Sequence, residues 1–245
     1  MYIIFYLCLA VFMNGLCKSH ETVNTLFSAF INLLTPVVNI HCDTNTNPDR
    51  ILLISNHVKL IDYITLHAVL IKRYPDHLPV FVSVDKVKKI PYYGNIFSKY
   101  YLLINRRDTE TSVSNMIQKC KELRNKKVVI VLFPEGDIYR RENVVKSDNY
   151  CKNNKIEKFN NLLCPKVKAY ETILKYFKPN QIKLINLMYS KNNHKDNKTF
   201  VKYIDFLNIF TKYPTCDLFL TSCEKEKPLI DIWRQLDKEN SKIKN

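Results

Sequence analysis

From residue 51 onward the chain alternates short apolar runs rich in β-branched residues with longer amphipathic stretches, and this alternation restricts the possible folds more than any other feature. ILLIS (51–55), VFVSV (80–84), YLLIN (101–105), VVIVLF (128–133) and IKLINLMY (182–189) read as strands, as does a later pair within 199–222. Residues 63–73 and 109–124 have helical spacing between them. Leu229, Ile232, Trp233 and Leu236 follow Pro228 at the spacing of a C-terminal amphipathic helix. Apolar strands alternating with helices predict an α/β fold with a central, mostly parallel sheet flanked by helices, since such strands must be covered on both faces. The charged residues after Leu236 read as a solvated tail.

The polar cluster DTNTNPDR (43–50) marks the expected boundary, giving an N-terminal membrane-anchoring segment over 1–45 and a single catalytic-sized domain over 46–245. Met1–Cys17 contains no charged side chain and at helical rise would be roughly 25 Å long, against a hydrocarbon core of about 30 Å. It lacks a basic n-region and a small-residue cleavage site, so an uncleaved membrane helix is expected rather than a signal peptide. Thr25–Ile40 is apolar with scattered polar residues and a proline, which suits a helix lying in the membrane interface or packed on the domain.

Thirty-eight basic against 23 acidic residues leave a net charge of +15, which favours anionic partners such as phospholipid surfaces and phosphorylated metabolites. The excess is interleaved with Asn and forms no Arg-rich block, zinc-finger spacing or aromatic RNA-reading signature, so no nucleic-acid partner is expected. The eight cysteines form no CxxC pair and read as reduced or buried thiols, not a disulfide framework or a metal site.

Three strand ends collect residues suited to chemistry. Asn56 and His57 follow the strand ILLIS, at the carboxyl edge where open α/β sheets keep their ligand crevice. On an ideal helix, positions five apart diverge by about 140°, so His57 can meet Asp62 only from a turn ahead of the helix. FPEGD (133–137) follows another strand, and the chain holds only three glycines where average usage would give roughly seventeen. Gly136 therefore marks a place that needs backbone freedom or close approach. INRRD (104–108) offers Arg106 and Arg107 as forks for phosphate.

In order, NHVKLID, LLINRRD and FPEGD resemble the blocks of the glycerophosphate and lysophospholipid acyltransferase family. KKIPYYGNIF (88–97) resembles a further family segment. NLLCPKVKAY (161–170) and the helix around Trp233 resemble the lysocardiolipin acyltransferase-like branch. The resemblance implies transfer of an acyl group from acyl-CoA to a hydroxyl of lysophosphatidic acid or a related lysophospholipid, without metal or bound cofactor. It further implies His57 as general base oriented by Asp62. Asn56, Arg106, Phe133, Pro134, Glu135, Gly136 and Lys166 are then the substrate-binding set, with Arg106 and Lys166 on the acceptor phosphate. By analogy, the site of action would be a phospholipid membrane of the endoplasmic reticulum or mitochondrion. Two departures stand out: Asp137 occupies the place of the family's usual Thr or Ser, and VKLI between His57 and Asp62 is mostly apolar. A catalytically silent, membrane-bound lipid-binding protein of the same fold is the competing expectation.

Overall fold

Five consecutive residues from Ile51 to Ser55 are fully buried, so this strand must be covered on both sides. Its side chains divide with period two: Ile51 and Leu53 enter one apolar layer, Leu52 and Ile54 the other. A computed structural model describes residues 37–42, 47–59, 62–85, 101–189, 215–224 and 227–243. Its strands are β1 (Val37–Cys42), β2 (Arg50–Ser55), β3 (Leu78–Val84), β4 (Tyr101–Ile104), β5 (Val128–Leu132), β6 (Gln181–Tyr189) and β7 (Thr215–Cys223). Its helices are α1 (Asp62–Arg73), α2 (Thr109–Leu123), α3 (Arg141–Asn153), α4 (Val167–Tyr176) and α5 (Leu229–Ile243).

The strands form one seven-stranded sheet in the order β1-β7-β6-β2-β5-β3-β4. Every pairing is parallel except β6 with β7. Central β2 pairs Ile54 with Leu132 of β5 on one side and Ser55 with Ile185 of β6 on the other. Leu66, Val69 and Leu70 of α1 pack on the face of Ile51 and Leu53. Residues of α2, α4 and α5, including Met116, Ile173 and the fully buried Trp233, cover the face of Leu52 and Ile54. The connection leaving β2 thus takes one face and the path leaving β5 reaches α4 on the other, and it is at such diverging strand ends that open α/β sheets keep a ligand crevice.

The expected α/β fold, with its mostly parallel sheet flanked by helices, is the one observed. Three local expectations change. Val37–Ile40, read as the end of a helix, belongs to β1, and β1 pairs in parallel with β7. The sheet therefore begins ahead of the polar cluster expected to open the domain, because the exposed edge of β7 supplies hydrogen-bond partners that local sequence cannot reveal. The stretch after Leu236 is not a solvated tail: α5 continues to Ile243, and Asp237 and Asn240 on it are buried. Between FPEGD and β6 the chain forms α3 and α4, for which the sequence raised no helical expectation. The apolar N-terminal run and KKIPYYGNIF lie outside the described residues, as does the first of the later strand pair. Among the described residues no helix is long and apolar enough to cross a membrane. Of the cysteines within them, Cys120, Cys151, Cys164 and Cys216 are free and buried, and Cys223 is free and half-buried.

Candidate active site

Because β2, β4, β5 and β6 run in one direction, the segments after them gather at a single edge of the sheet. His57 lies in the turn after β2 and Asp62 opens α1, the arrangement that the five-residue spacing demands. His57 Nδ1 is 2.9 Å from Asp62 Oδ2, which also accepts the backbone N–H of Val58 at 2.7 Å and of Lys59 at 2.8 Å. Asp62 Oδ1 accepts the hydroxyl of Tyr189, at the end of β6, at 2.7 Å. Burial, then the charge of Asp62, hold the Tyr189 phenol well above its ordinary pKa, so it remains a donor. The fully buried carboxylate has a donor on each oxygen and sits where the partial positive charge of a helix N-terminus favours it. An acceptor surrounded by donors requires the His57 proton on Nδ1, which leaves Nε2 as the basic nitrogen.

Other contacts hold the imidazole in place. Its ring stacks on Phe133 at 4.4 Å between centroids and meets the edge of Tyr63 at 5.3 Å. The His57 carbonyl accepts the N–H of Tyr139 at 2.9 Å, tying the loop after β5 to the loop after β2. Asn56 donates from Nδ2 to Leu187 O at 3.0 Å and accepts Leu187 N–H on Oδ1 at 2.7 Å. Both polar ends of the buried Asn56 amide are thus engaged with β6, extending the β2–β6 ladder past Ser55 up to His57. In this structure Asn56 positions His57.

Phe133, Pro134 and Glu135 are buried, and the chain turns back at Gly136, whose N–H bonds Phe133 O at 3.1 Å. Gly136 has φ +68°, a conformation that a side chain would strain. The Lys166 N–H bonds Pro134 O at 2.8 Å, which brings the lysine stem beside the glycine: a Cβ there would lie 3.5 Å from Lys166 Cδ and 3.8 Å from Arg106 Nη2. Burial, then the charge of Arg106, push the Lys166 amine down, with Asp137 opposing. Arg106 donates to Gly136 O, and its Nη1 is 3.5 Å from Asp137 Oδ2. Its own loop is built locally. The Asn105 N–H bonds Ser112 Oγ at 2.7 Å, Asn105 Oδ1 accepts Arg107 N–H at 2.9 Å, and Asp108 caps α2 through Thr111 N at 3.0 Å. Burial holds the Glu135 carboxyl well above the ordinary range; the nearby amides of His57 and Leu163 oppose this, and the charges of Asp62 and Asp137 add to it.

All the residues expected at the site therefore lie at one edge, with Asn56 facing the scaffold and the two cations around Gly136. Sequence reasoning missed Tyr189, which sits 127 positions from Asp62 and carries no local motif. It also missed Asp237, which accepts the backbone N–H groups of Asn160, Asn161 and Leu162 at 3.0, 2.7 and 3.0 Å. With Trp233 Nε1 donating to Leu163 O at 3.0 Å, α5 pins the segment that leads to Lys166.

A family model described as Acyltransferase matches residues 37–166, more than half of the chain, from β1 to the lysine beside Gly136. The chain belongs to the acyltransferase family. The chain is 24% identical over 128 residues to a probable 1-acyl-sn-glycerol-3-phosphate acyltransferase 5 of Arabidopsis thaliana, covering 51% of the chain and 34% of that relative. It is 26% identical over 85 residues to a 1-acyl-sn-glycerol-3-phosphate acyltransferase of Helicobacter pylori strain J99, covering 35% of the chain and 34% of the relative. The matches thus span about a third of the length of each curated relative. The family match covers β2, the His57–Asp62 turn, the Arg106 loop and FPEGD together.

Proposed function

We propose that this acyltransferase moves a fatty acyl group from acyl-CoA to a free hydroxyl of a glycerophospholipid acceptor, lysophosphatidic acid or a related lysophospholipid, at a phospholipid membrane. The observation that carries this reading is the His57–Asp62 pair at 2.9 Å, with Nε2 left basic, on the same sheet edge as Arg106 and Lys166. Nε2 takes the acceptor's hydroxyl proton as its oxygen bonds to the thioester carbonyl carbon, and Asp62 steadies the resulting imidazolium. When the tetrahedral intermediate collapses, the C–S bond breaks and the coenzyme A thiolate takes the proton back from His57. The ester is formed, free coenzyme A leaves, and the base is regenerated. A positioned base contributes about 10²- to 10⁴-fold, and holding the acceptor phosphate on Arg106 and Lys166 supplies part of the remainder by orientation.

Two relatives named for acylation of 1-acyl-sn-glycerol-3-phosphate support a phosphate-bearing lipid acceptor. The segment 161–170, which resembles the lysocardiolipin-like branch, meets FPEGD through the bond from Lys166 N–H to Pro134 O. Anchoring at an endoplasmic reticulum membrane is assigned to the uncharged run Met1–Cys17. The test is coenzyme A release from oleoyl-CoA by reconstituted protein across a panel of lysophospholipids, beside His57→Ala. Acceptor-dependent release that drops at least about a hundredfold in the folded variant supports the assignment. Release that persists in His57→Ala sinks it. No release by wild type with any acceptor would favour a silent lipid-binding protein, a reading to which the Arg106–Asp137 pair lends weight because the cation already has a partner.

A further inference from the structure

Resemblance alone places Phe133 among the substrate-binding residues, a role for which it has little surface. Phe133 is 5% exposed and follows β5 directly, within the apolar layer that holds Leu53, Phe81 and Val131. Its ring lies instead against the base: the Phe133 and His57 rings are stacked at 28°, with centroids 4.4 Å apart. Tyr63 of α1, whose ring is 4.9 Å from that of Phe133 and 5.3 Å from the imidazole, stands at 85° to the imidazole and closes another side. His57 is itself 6% exposed, so its ring is enclosed by these two neighbours and by Asp62.

A stacked phenyl ring does not treat the two states of an imidazole alike. The face of an aromatic ring carries the negative part of its quadrupole and attracts a cation within about 6 Å of the centroid. Neutral imidazole gains dispersion from Phe133, whereas imidazolium gains dispersion and a cation–π attraction that burial leaves poorly screened. His57 becomes imidazolium only as it takes the acceptor's proton. The contact therefore strengthens on the way to the transition state, and interactions of that kind are the ones that speed the chemical step. The other polar groups facing His57 come from four elements. Asp62 of α1 bonds Nδ1, and Tyr63 of α1 meets the ring; Glu135, after β5, lies near the His57 amide. Tyr189 of β6 reaches the ring through Asp62, and the charge of Arg106, after β4, reaches Tyr63. Asp62 favours the cation through one nitrogen; Phe133 favours it across the ring.

Resting on the proposed acyl transfer with His57 as base, we propose that Phe133 is a positioning residue for that base and not part of the acceptor pocket: its ring face fixes the imidazole plane and stabilises the imidazolium formed during proton abstraction. An aliphatic side chain in its place leaves His57 a weaker base in a looser plane. A cation–π contact of this kind corresponds to a change of roughly threefold to thirtyfold in a proton-binding equilibrium, or about 0.5–1.5 pH units.

The experiment follows kcat/KM for coenzyme A release across the pH range in which histidine titrates, for wild type, Phe133→Leu and protein carrying pentafluorophenylalanine in place of Phe133. The fluorinated ring keeps the shape of phenylalanine and reverses the sign of its face, so it separates charge from packing even if Phe133→Leu fails to fold. In both proteins the acidic limb of the profile should move down by about 0.5–1.5 pH units and the plateau should fall by up to about thirtyfold. The deficit then shrinks as pH is lowered. A limb that stays in place with the fluorinated ring overturns the assignment, since lost packing lowers the rate alike at every pH. So does a loss that falls on acceptor KM alone, which would return Phe133 to substrate binding. The titration of His57 is also read without turnover, by NMR of ring-labelled histidine with the resonance assigned through His57→Gln. A midpoint displaced by the fluorinated ring in a protein that transfers no acyl group would sink the transferase reading and leave the stacking effect standing. Transfer by a protein whose His57 midpoint ignores the fluorinated ring overturns the role of Phe133 alone.

Discussion

Replacing Tyr189 with Phe deletes one oxygen and tests whether the relay behind His57 extends to the end of β6. The Tyr189 hydroxyl donates to Asp62 Oδ1 at 2.7 Å, whereas the His57, Val58 and Lys59 donors all converge on Oδ2. A fully buried carboxylate oxygen would lose a charge-assisted bond, and such bonds contribute about 1.5–3 kcal/mol net. In a chain of this size that loss lowers Tm by roughly 3–12 °C. The kinetic effect has a separate origin. Without its Oδ1 donor the carboxylate rotates more freely, and Oδ2 spends less time on the axis of the His57 Nδ1–H bond. If about 1.4 kcal/mol of orientation is lost in the transition state, kcat falls roughly tenfold while acceptor KM is little changed. The assay is coenzyme A release under saturating acceptor, together with thermal melts and a double-mutant cycle against Asp62→Asn. On the Asp62→Asn background, Tyr189→Phe should cost almost nothing further in kcat, since both changes break the same chain of bonds. A wild-type kcat in a destabilised Tyr189→Phe protein would refute the relay and leave Tyr189 a purely structural residue.

Glu135→Gln should change how stability depends on pH. The buried carboxyl has its folded-state pKa raised, so its protonated form costs nothing below the unfolded value near 4.5, and stability is lost as pH rises from there through the folded value. The stability of Glu135→Gln relative to wild type should therefore increase with pH above about 4.5, by at most about 1.4 kcal/mol per unit, as read by denaturant melts at several pH values. Parallel pH curves for the two proteins would contradict this. Asp237→Ala removes the acceptor of the Asn160, Asn161 and Leu162 amides, and three buried or half-buried donors without a partner should cost about 2–4 kcal/mol in a chemical denaturation curve. Hydrogen exchange should rise at residues 160–163 before it rises in β2 or β5, because the loss falls on the segment that α5 pins.

Much of this molecule was readable from order and spacing. The continuous apolar run ILLIS and the helical spacing of 63–73 and 109–124 follow from local geometry, and the observed boundaries of β2, α1 and α2 agree with those expectations to within a residue. The His57–Asp62 encounter was readable as well, since both residues belong to one strand-to-helix turn and their meeting needs only that turn to form. β1 was misread because an edge strand draws its stability from hydrogen bonds with a partner remote in sequence, here β7. Asp237 was misread because a charged residue near a chain end looks solvated until three backbone amides arrive from about 76 positions away.

The sequence by itself determined the kind of sheet, the strand ends at which polar residues collect, and a turn that holds a histidine against an aspartate. Tertiary structure alone decided what stands behind and beside that pair. Placing β6 next to β2 brings Tyr189 to Asp62 and engages Asn56 with Leu187; docking Lys166 on Pro134 and Arg106 on Gly136 turns scattered basic residues into one cluster that includes Asp137. The physical reason is the range of the forces involved. Periodicity and capping act between neighbours in sequence, whereas a buried carboxylate or an ion pair between loops is completed by donors and cations that only strand order brings within about 4 Å.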